Sequence, residues 1–260
     1  MEIGIRRVAV LLTSALYVTA CGSEGGGDPA GSAGQSGGGA GGAGGAGGAA
    51  TISIAGTLLE FTPGGTEPAL ADVSVCARGL DDVPCVMSDL AGQYQLDGVP
   101  ANIEDALLFT KPGYLSAIMP GVTREADGII NASLATNDVA KTFSALLGAA
   151  WPWVGVGAIR PQVATLKGAA VEGATFTLDA ENVIGPIFMG ETQMPDKTLA
   201  ATSKAGWAII ADVPPGERVL TVSHPTLSCT WTIAWPGDEP EQARVPVEVN
   251  TITYLEAVCE

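Results

Sequence analysis

Basic side chains are scarce in this chain of 260 residues, with 12 Lys and Arg against 28 Asp and Glu. The net charge of −16 disfavours polyanions as partners, so neither nucleic acid nor an anionic membrane surface suits it. Histidine is scarcer still. His224 stands alone, which leaves zinc sites and histidine-based catalysis short of parts, and neither H-E-x-x-H nor a dinucleotide fingerprint occurs. Long apolar runs are missing as well. The stretch Val8 to Val18 falls short of the roughly 20 residues that cross a bilayer. Tryptophan is absent from the first half, all five residues lying between Trp151 and Trp235.

What is present begins with an export signal over residues 1–20. Arg6 and Arg7 precede the short apolar run, and small residues lead into Cys21. The tetrad Val18-Thr19-Ala20-Cys21 resembles the lipobox of bacterial lipoproteins. That resemblance implies cleavage before Cys21, lipid on its sulfur and an acylated new N-terminus. Each buried CH₂ contributes about 0.8 kcal/mol, so several acyl chains hold a protein on a membrane where one does not. Gly22 rather than aspartate follows the cysteine, which by analogy with the class favours the outer membrane of the cell envelope. Residues 21–50 then form a lipid-anchored tether. Among the 29 residues from Gly22 to Ala50 are 15 Gly, 7 Ala and 3 Ser, a composition that cannot offset backbone entropy and predicts disorder. Gly34 to Gly38 matches the hydrolase pattern G-x-S-x-G, but low complexity supplies neither the strand nor the helix that the pattern needs.

Residues 51–260 alternate apolar and polar side chains in short runs. Examples are Ile52 to Ile54, Val73 to Val75, Tyr94 to Leu96, Val219 to Val222 and Val245 to Val249, separated by Gly, Pro, Asp and Asn. The pattern predicts half-buried strands of an all-β sandwich. Asn137 to Leu147 breaks it, with Val139, Phe143, Leu146 and Leu147 at helical spacing, Thr136 or Asn137 as N-cap and Gly148 as stop. The two sides of this helix are similar. Ala91-Gly92 matches Ala205-Gly206, Val99-Pro100 matches Val213-Pro214, Thr110-Lys111-Pro112 meets Ser223-His224-Pro225, and Ala71 to Val75 meets Glu172 to Phe176. A duplication with a period of about 114 residues follows from these offsets. Both halves resemble the carboxypeptidase regulatory-like domain, through Ile54 to Leu58, Pro68 to Val75, Ser88 to Pro100 and Pro112-Gly113-Tyr114 in the first half. Ala170 to Phe176 and Ser203 to Gly216 carry the resemblance in the second. It implies two tandem immunoglobulin-like, prealbumin-like β-sandwiches at 51–135 and 154–260, the second divergent, joined by a helical connector at 136–153. The shared motif is structural and carries over no catalytic residue.

Four cysteines besides Cys21 suggest two disulfides in an exported chain. They allow three connectivities, of which Cys76–Cys85 with Cys229–Cys259 is preferred because each bridge stays within one repeat. Asp81-Asp82 and the acids around Asp238-Glu239-Glu241 lack the ligand spacing of a calcium loop and read as solvated surface. His224 takes the place of Lys111 and reads as a turn residue, while Cys229, Trp231, Ile233 and Trp235 share one face of a strand by period two. The repeat alignment sets Trp207 opposite Gln93 and Ile209 opposite Gln95, on the face expected to meet water. Either this face contacts the other module, or Trp207 and Ile209 form a ligand patch with Trp151 and Trp153. The expectation is therefore a non-enzymatic lipoprotein without cofactor or metal, acting as a scaffold or protein-interaction element. Polysaccharide binding through exposed tryptophan is the alternative, and hydrolysis by a carboxylate pair a weaker one.

Overall fold

The computed structural model describes residues 50–260. The signal, Cys21, the Gly34 to Gly38 motif and the tether up to residue 49 lie outside the described residues. Its regular elements are strands, with one helix among the described residues. The first repeat contains β1 (Thr51–Glu60), β2 (Ser74–Ala77), β3 (Val86–Met87), β4 (Gln93–Pro100), β5 (Glu104–Thr110), β6 (Ser116–Val122), β7 (Gly128–Ile129) and β8 (Ala132–Leu134). Helix α1 (Asn137–Leu147) leads to β9 (Gly157–Ala164), β10 (Thr175–Leu178), β11 (Ile184–Met189), β12 (Pro195–Asp196) and β13 (Ala208–Val213). β14 (Gly216–Ser223), β15 (Cys229–Ile233), β16 (Trp235–Pro236), β17 (Gln242–Val247) and β18 (Thr251–Cys259) complete the second repeat.

The helix forms where its signals lie. Thr136 caps it by accepting a hydrogen bond from the Val139 N–H, and Gly148 ends it in the left-handed region at φ 85°. Ala140, Phe143, Ser144 and Leu147 are buried, whereas Leu146, expected on the apolar face, is exposed.

Strand pairing repeats along the chain. β1 runs antiparallel to β4 as β9 does to β13, and β2 pairs with β5 as β10 does with β14. The local hydrogen bonds repeat too. The Ser88 hydroxyl donates to the Leu70 carbonyl at 2.8 Å and accepts from the Val73 N–H at 3.0 Å. In the second repeat the Thr202 hydroxyl donates to the Val171 carbonyl at 2.7 Å and accepts from the Ala174 N–H at 2.9 Å. Gly92 and Gly206 are both left-handed, at φ 74° and 76°, and their carbonyls accept from Leu58 and Val163 at 2.7 and 2.8 Å.

The repeats differ from beads on a string. β18 pairs in parallel with β9 along most of its length and, through Thr251 to Thr253, with β6 of the first repeat. A continuous sheet therefore runs β12-β11-β13-β9-β18-β6-β5-β2-β3, with β15 also on β18. The division expected at 136–153 marks the helix and connector, but hydrogen-bonded sheet and buried side chains cross it.

Two cores flank the second repeat's sheet. On its inner face Ala208, Ile210 and Ile159 join Phe176, Val222 and Val245. On its outer face Ile187, Met189, Trp207, Ile209 and Tyr254 join a cluster that includes Leu58, Phe109, Phe143 and Trp153. β13 alternates between the two, as period two requires. Tyr254 donates its hydroxyl to the Ser133 carbonyl at 2.8 Å, and the Trp235 indole N–H donates to the Asp105 carbonyl at 2.8 Å. Arg244 pairs with Glu104 and Arg78 with Glu248 across the same boundary.

Both disulfides occur within repeats, Cys76–Cys85 and Cys229–Cys259. The second joins residues directly opposite each other on β15 and β18. The face assigned to Cys229, Trp231, Ile233 and Trp235 needs correction. A register shift between Trp231 and Ile233 breaks the alternation, so Trp231 packs in the second repeat's own core while Ile233 joins the shared one. Trp235 lies on the separate strand β16 and reaches the first repeat. A bulge re-aims side chains in this way.

Candidate functional site

The patch expected from Trp207, Ile209, Trp151 and Trp153 is not an exposed surface. Trp207 is 3% exposed, Ile209 4% and Trp153 2%. Trp207 meets the edge of Phe61 from the first repeat at 6.1 Å, and its indole N–H donates to the Gln193 side chain at 2.5 Å. Arg160 lies over its ring at 4.4 Å and over that of Tyr254 at 5.2 Å, a cation between two π faces. Burial pulls the Arg160 guanidinium below its ordinary range, opposed by Tyr254, Glu67 and Glu256. Tyr254 is pushed up by burial, opposed by Arg160. The Trp207 face belongs to the contact between repeats.

Trp151 is a different case. Trp153 is fixed by its indole N–H donating to Ser144 Oγ at 3.0 Å, and Trp151 packs against it edge to face at 5.6 Å. Trp151 is only partly exposed, beside Val154 at 84% exposure. Its indole N–H makes no hydrogen bond among the described residues. It borders a cleft of about 660 Å³ with Pro152, Val156, Glu181, Asn182, Asp212 and Pro214. The connector supplies the aromatic wall, the β10–β11 loop supplies Glu181 and Asn182, and the end of β13 supplies Asp212. None of these three polar side chains has a hydrogen-bond or ion-pair partner among the described residues, and no cationic side chain lines the cleft.

Sequence reasoning named Trp151 as a patch residue and did not name Glu181, Asn182 or Asp212. A signal was present. Asp212 aligns with Gly98, and both adopt left-handed backbone, at φ 55° and 80°. The second repeat thus carries a carboxylate where the first carries the residue that this conformation favours. Asn182 is also left-handed, at φ 59°.

A second groove, of about 490 Å³, crosses the outer face of β1 and β4 and is lined by Thr57, Met87, Gln93, Gln95, Ile129 and Asn131 among others. His224 has a structural role. Its Nε2 donates to the Glu172 carbonyl at 2.9 Å while Nδ1 accepts from the Leu227 N–H at 3.0 Å. Lys111 donates to the Ala71 carbonyl at 2.8 Å at the matching place in the first repeat. Among the described residues no group of three His, Cys, Asp or Glu side chains is disposed to hold a metal ion.

No known family and no curated protein matches the chain. Among solved structures it is similar to a type II cohesin–X-dockerin complex from Acetivibrio cellulolyticus. Identity there is 20% and the TM-score 0.29, over 34% of this chain and 60% of that one. The Bacillus anthracis TIE protein is 12% identical with a TM-score of 0.27, over 81% of this chain and 34% of that one. The minor pilin GBS52 of Streptococcus agalactiae is 12% identical with a TM-score of 0.23, over 80% and 96%. The chain thus spans about 60% of the length of the cohesin-complex chain. At these TM-scores none of the three identifies a family, and the β-sandwich class rests on the strands described above.

Proposed function

We propose that the chain is a non-enzymatic lipoprotein of the bacterial cell envelope. Cys21 anchors it through the lipobox-like Val18 to Cys21, and the segment 22–50, by composition a coil reaching about 30 Å, tethers the folded part to the outer membrane. Two carboxypeptidase regulatory-like repeats then act as a scaffold or protein-interaction element. The observation that supports the scaffold most is the fusion of the repeats. β18 is hydrogen-bonded to both β9 and β6, and one buried cluster draws side chains from both repeats. Such a body presents its surfaces at fixed separation, which suits docking.

Labelling cells with an alkyne-bearing palmitate tests the anchor. The wild-type chain is expected to incorporate label and to partition into detergent with the membrane fraction, and Cys21→Ser to do neither. Equal labelling of the two forms overturns the lipoprotein reading. Crosslinking on intact envelopes then tests the scaffold. A partner protein captured by the wild-type chain and lost when Cys21→Ser releases it from the membrane supports the reading, and a chain that crosslinks to nothing counts against it.

A further inference from the structure

We propose that the cleft beside Trp151 binds a neutral carbohydrate, stacking a pyranose ring on the indole and bonding its hydroxyls to Glu181, Asn182 and Asp212. The site goes beyond the scaffold reading and does not depend on the anchor.

The ligand class follows from what the cleft offers and lacks. Its apolar wall is the partly exposed indole of Trp151, continued by Pro152, Val156 and Pro214. A flat aromatic face suits the C–H face of a sugar ring. Its polar side holds two carboxylates, which only accept hydrogen bonds, together with the Asn182 amide and the Trp151 N–H, which donate. A ligand that satisfies this set must donate and accept at neighbouring positions, as vicinal hydroxyls do. A cation donates only and leaves the indole N–H unpaired. It also finds one open ring rather than a cage, because Trp153 is buried and stands edge-on to Trp151. Anionic sugars are rejected, since no Lys, Arg or His lines the cleft and two carboxylates do. The volume of about 660 Å³ falls within the roughly 300–1,000 Å³ typical of small-ligand sites.

The wall is held in advance. Ser144 fixes Trp153 from inside the helix, and Trp153 fixes the ring of Trp151, so little ordering is left for binding. Asp212 bears on the site from another direction. The structural requirement at its position is met by Gly98 in the first repeat, so a side chain there serves something other than the turn. It lines the same cleft as the other unpaired groups.

Isothermal titration of the full chain with neutral hexasaccharides of glucose, xylose, mannose and N-acetylglucosamine tests the proposal. At least one is expected to bind saturably with a Kd tighter than about 1 mM, insensitive to salt between 50 and 500 mM as uncharged recognition requires by roughly that criterion. Trp151→Ala is expected to weaken binding at least tenfold and Trp151→Phe to restore part of it. Asp212→Gly, which installs the first repeat's residue, is expected to weaken binding while leaving Tm unchanged or higher, an outcome that a purely structural role for Asp212 does not give. No saturable binding by any of the four sugars overturns the proposal, as does binding that Trp151→Ala leaves intact. Salt-sensitive binding of tetramethylammonium that depends on Trp151, without sugar binding, identifies a cation site and overturns it equally.

Discussion

At the scale of single residues, Trp207 and Asp105 show what burial at the boundary between the repeats does to a side chain. Trp207 fills the boundary with its ring against Phe61 and Arg160. Truncating a buried tryptophan costs about 3–5 kcal/mol, so Trp207→Ala is expected to lower stability by that order in urea denaturation, without removing any surface binding property. Asp105 is buried at the same boundary, and its Oδ2 has no hydrogen-bond partner. Burial pushes its pKa up to about 6, against the Ala106 backbone hydrogen bond and the Arg78 charge, which pull it down. The folded chain therefore holds this proton over a range where the unfolded chain, titrating near 4, has released it. Stability from this group is present below about pH 4 and is lost as pH rises through about 6. Asp105→Asn is expected to exceed the wild type in stability at pH 8 by on the order of 2 kcal/mol and to match it near pH 4. Denaturation at the two pH values checks this, and equal differences at both contradict it.

At the scale of elements, the hydroxyl that staples each repeat is the most exact copy of the duplication. Ser88 and Thr202 each bridge a carbonyl and an N–H on the segment entering β2 or β10. Thr202→Val keeps the shape and orphans both backbone groups, which should cost about 1–3 kcal/mol. Thr202→Ser should cost little, because serine does the same work in the first repeat. Equal losses for the two variants in thermal melts contradict the assignment. Helix α1 and most strands were legible because their signals are local, a cap, a left-handed glycine or an alternation. The break in β15 was not legible. Period two continues unbroken through Trp231, Ile233 and Trp235 in the sequence, and only pairing with β18 and β17 forces the shift.

At the scale of the whole molecule, the duplication could be read from the sequence and its consequence could not. Aligning Trp207 with Gln93 exposed an apolar residue where water was expected, but the group that covers it, Phe61, lies far away along the chain. The same alignment also held Asp212 against Gly98, a difference whose meaning emerged only when the β10–β11 loop and the connector were seen to meet it. Local chemistry thus fixes the repeat, while long-range packing decides which of its faces remain available.

The face that Trp207 and Ile209 occupy is covered by the other repeat, whereas its counterpart on the first repeat, with Gln93 and Gln95, is open and polar. Stacking of one repeat on the next is head-to-tail, the kind of contact that extends into filaments when it does not close. The next such face along the chain carries exposed glutamines, which offer no apolar patch for a further step. The polarity of β4 thus acts as a chain terminator for self-assembly. Exchanging it, as Gln93→Trp with Gln95→Ile, is expected to turn the protein into concentration-dependent oligomers in sedimentation velocity, while the wild type shows no such growth through this face.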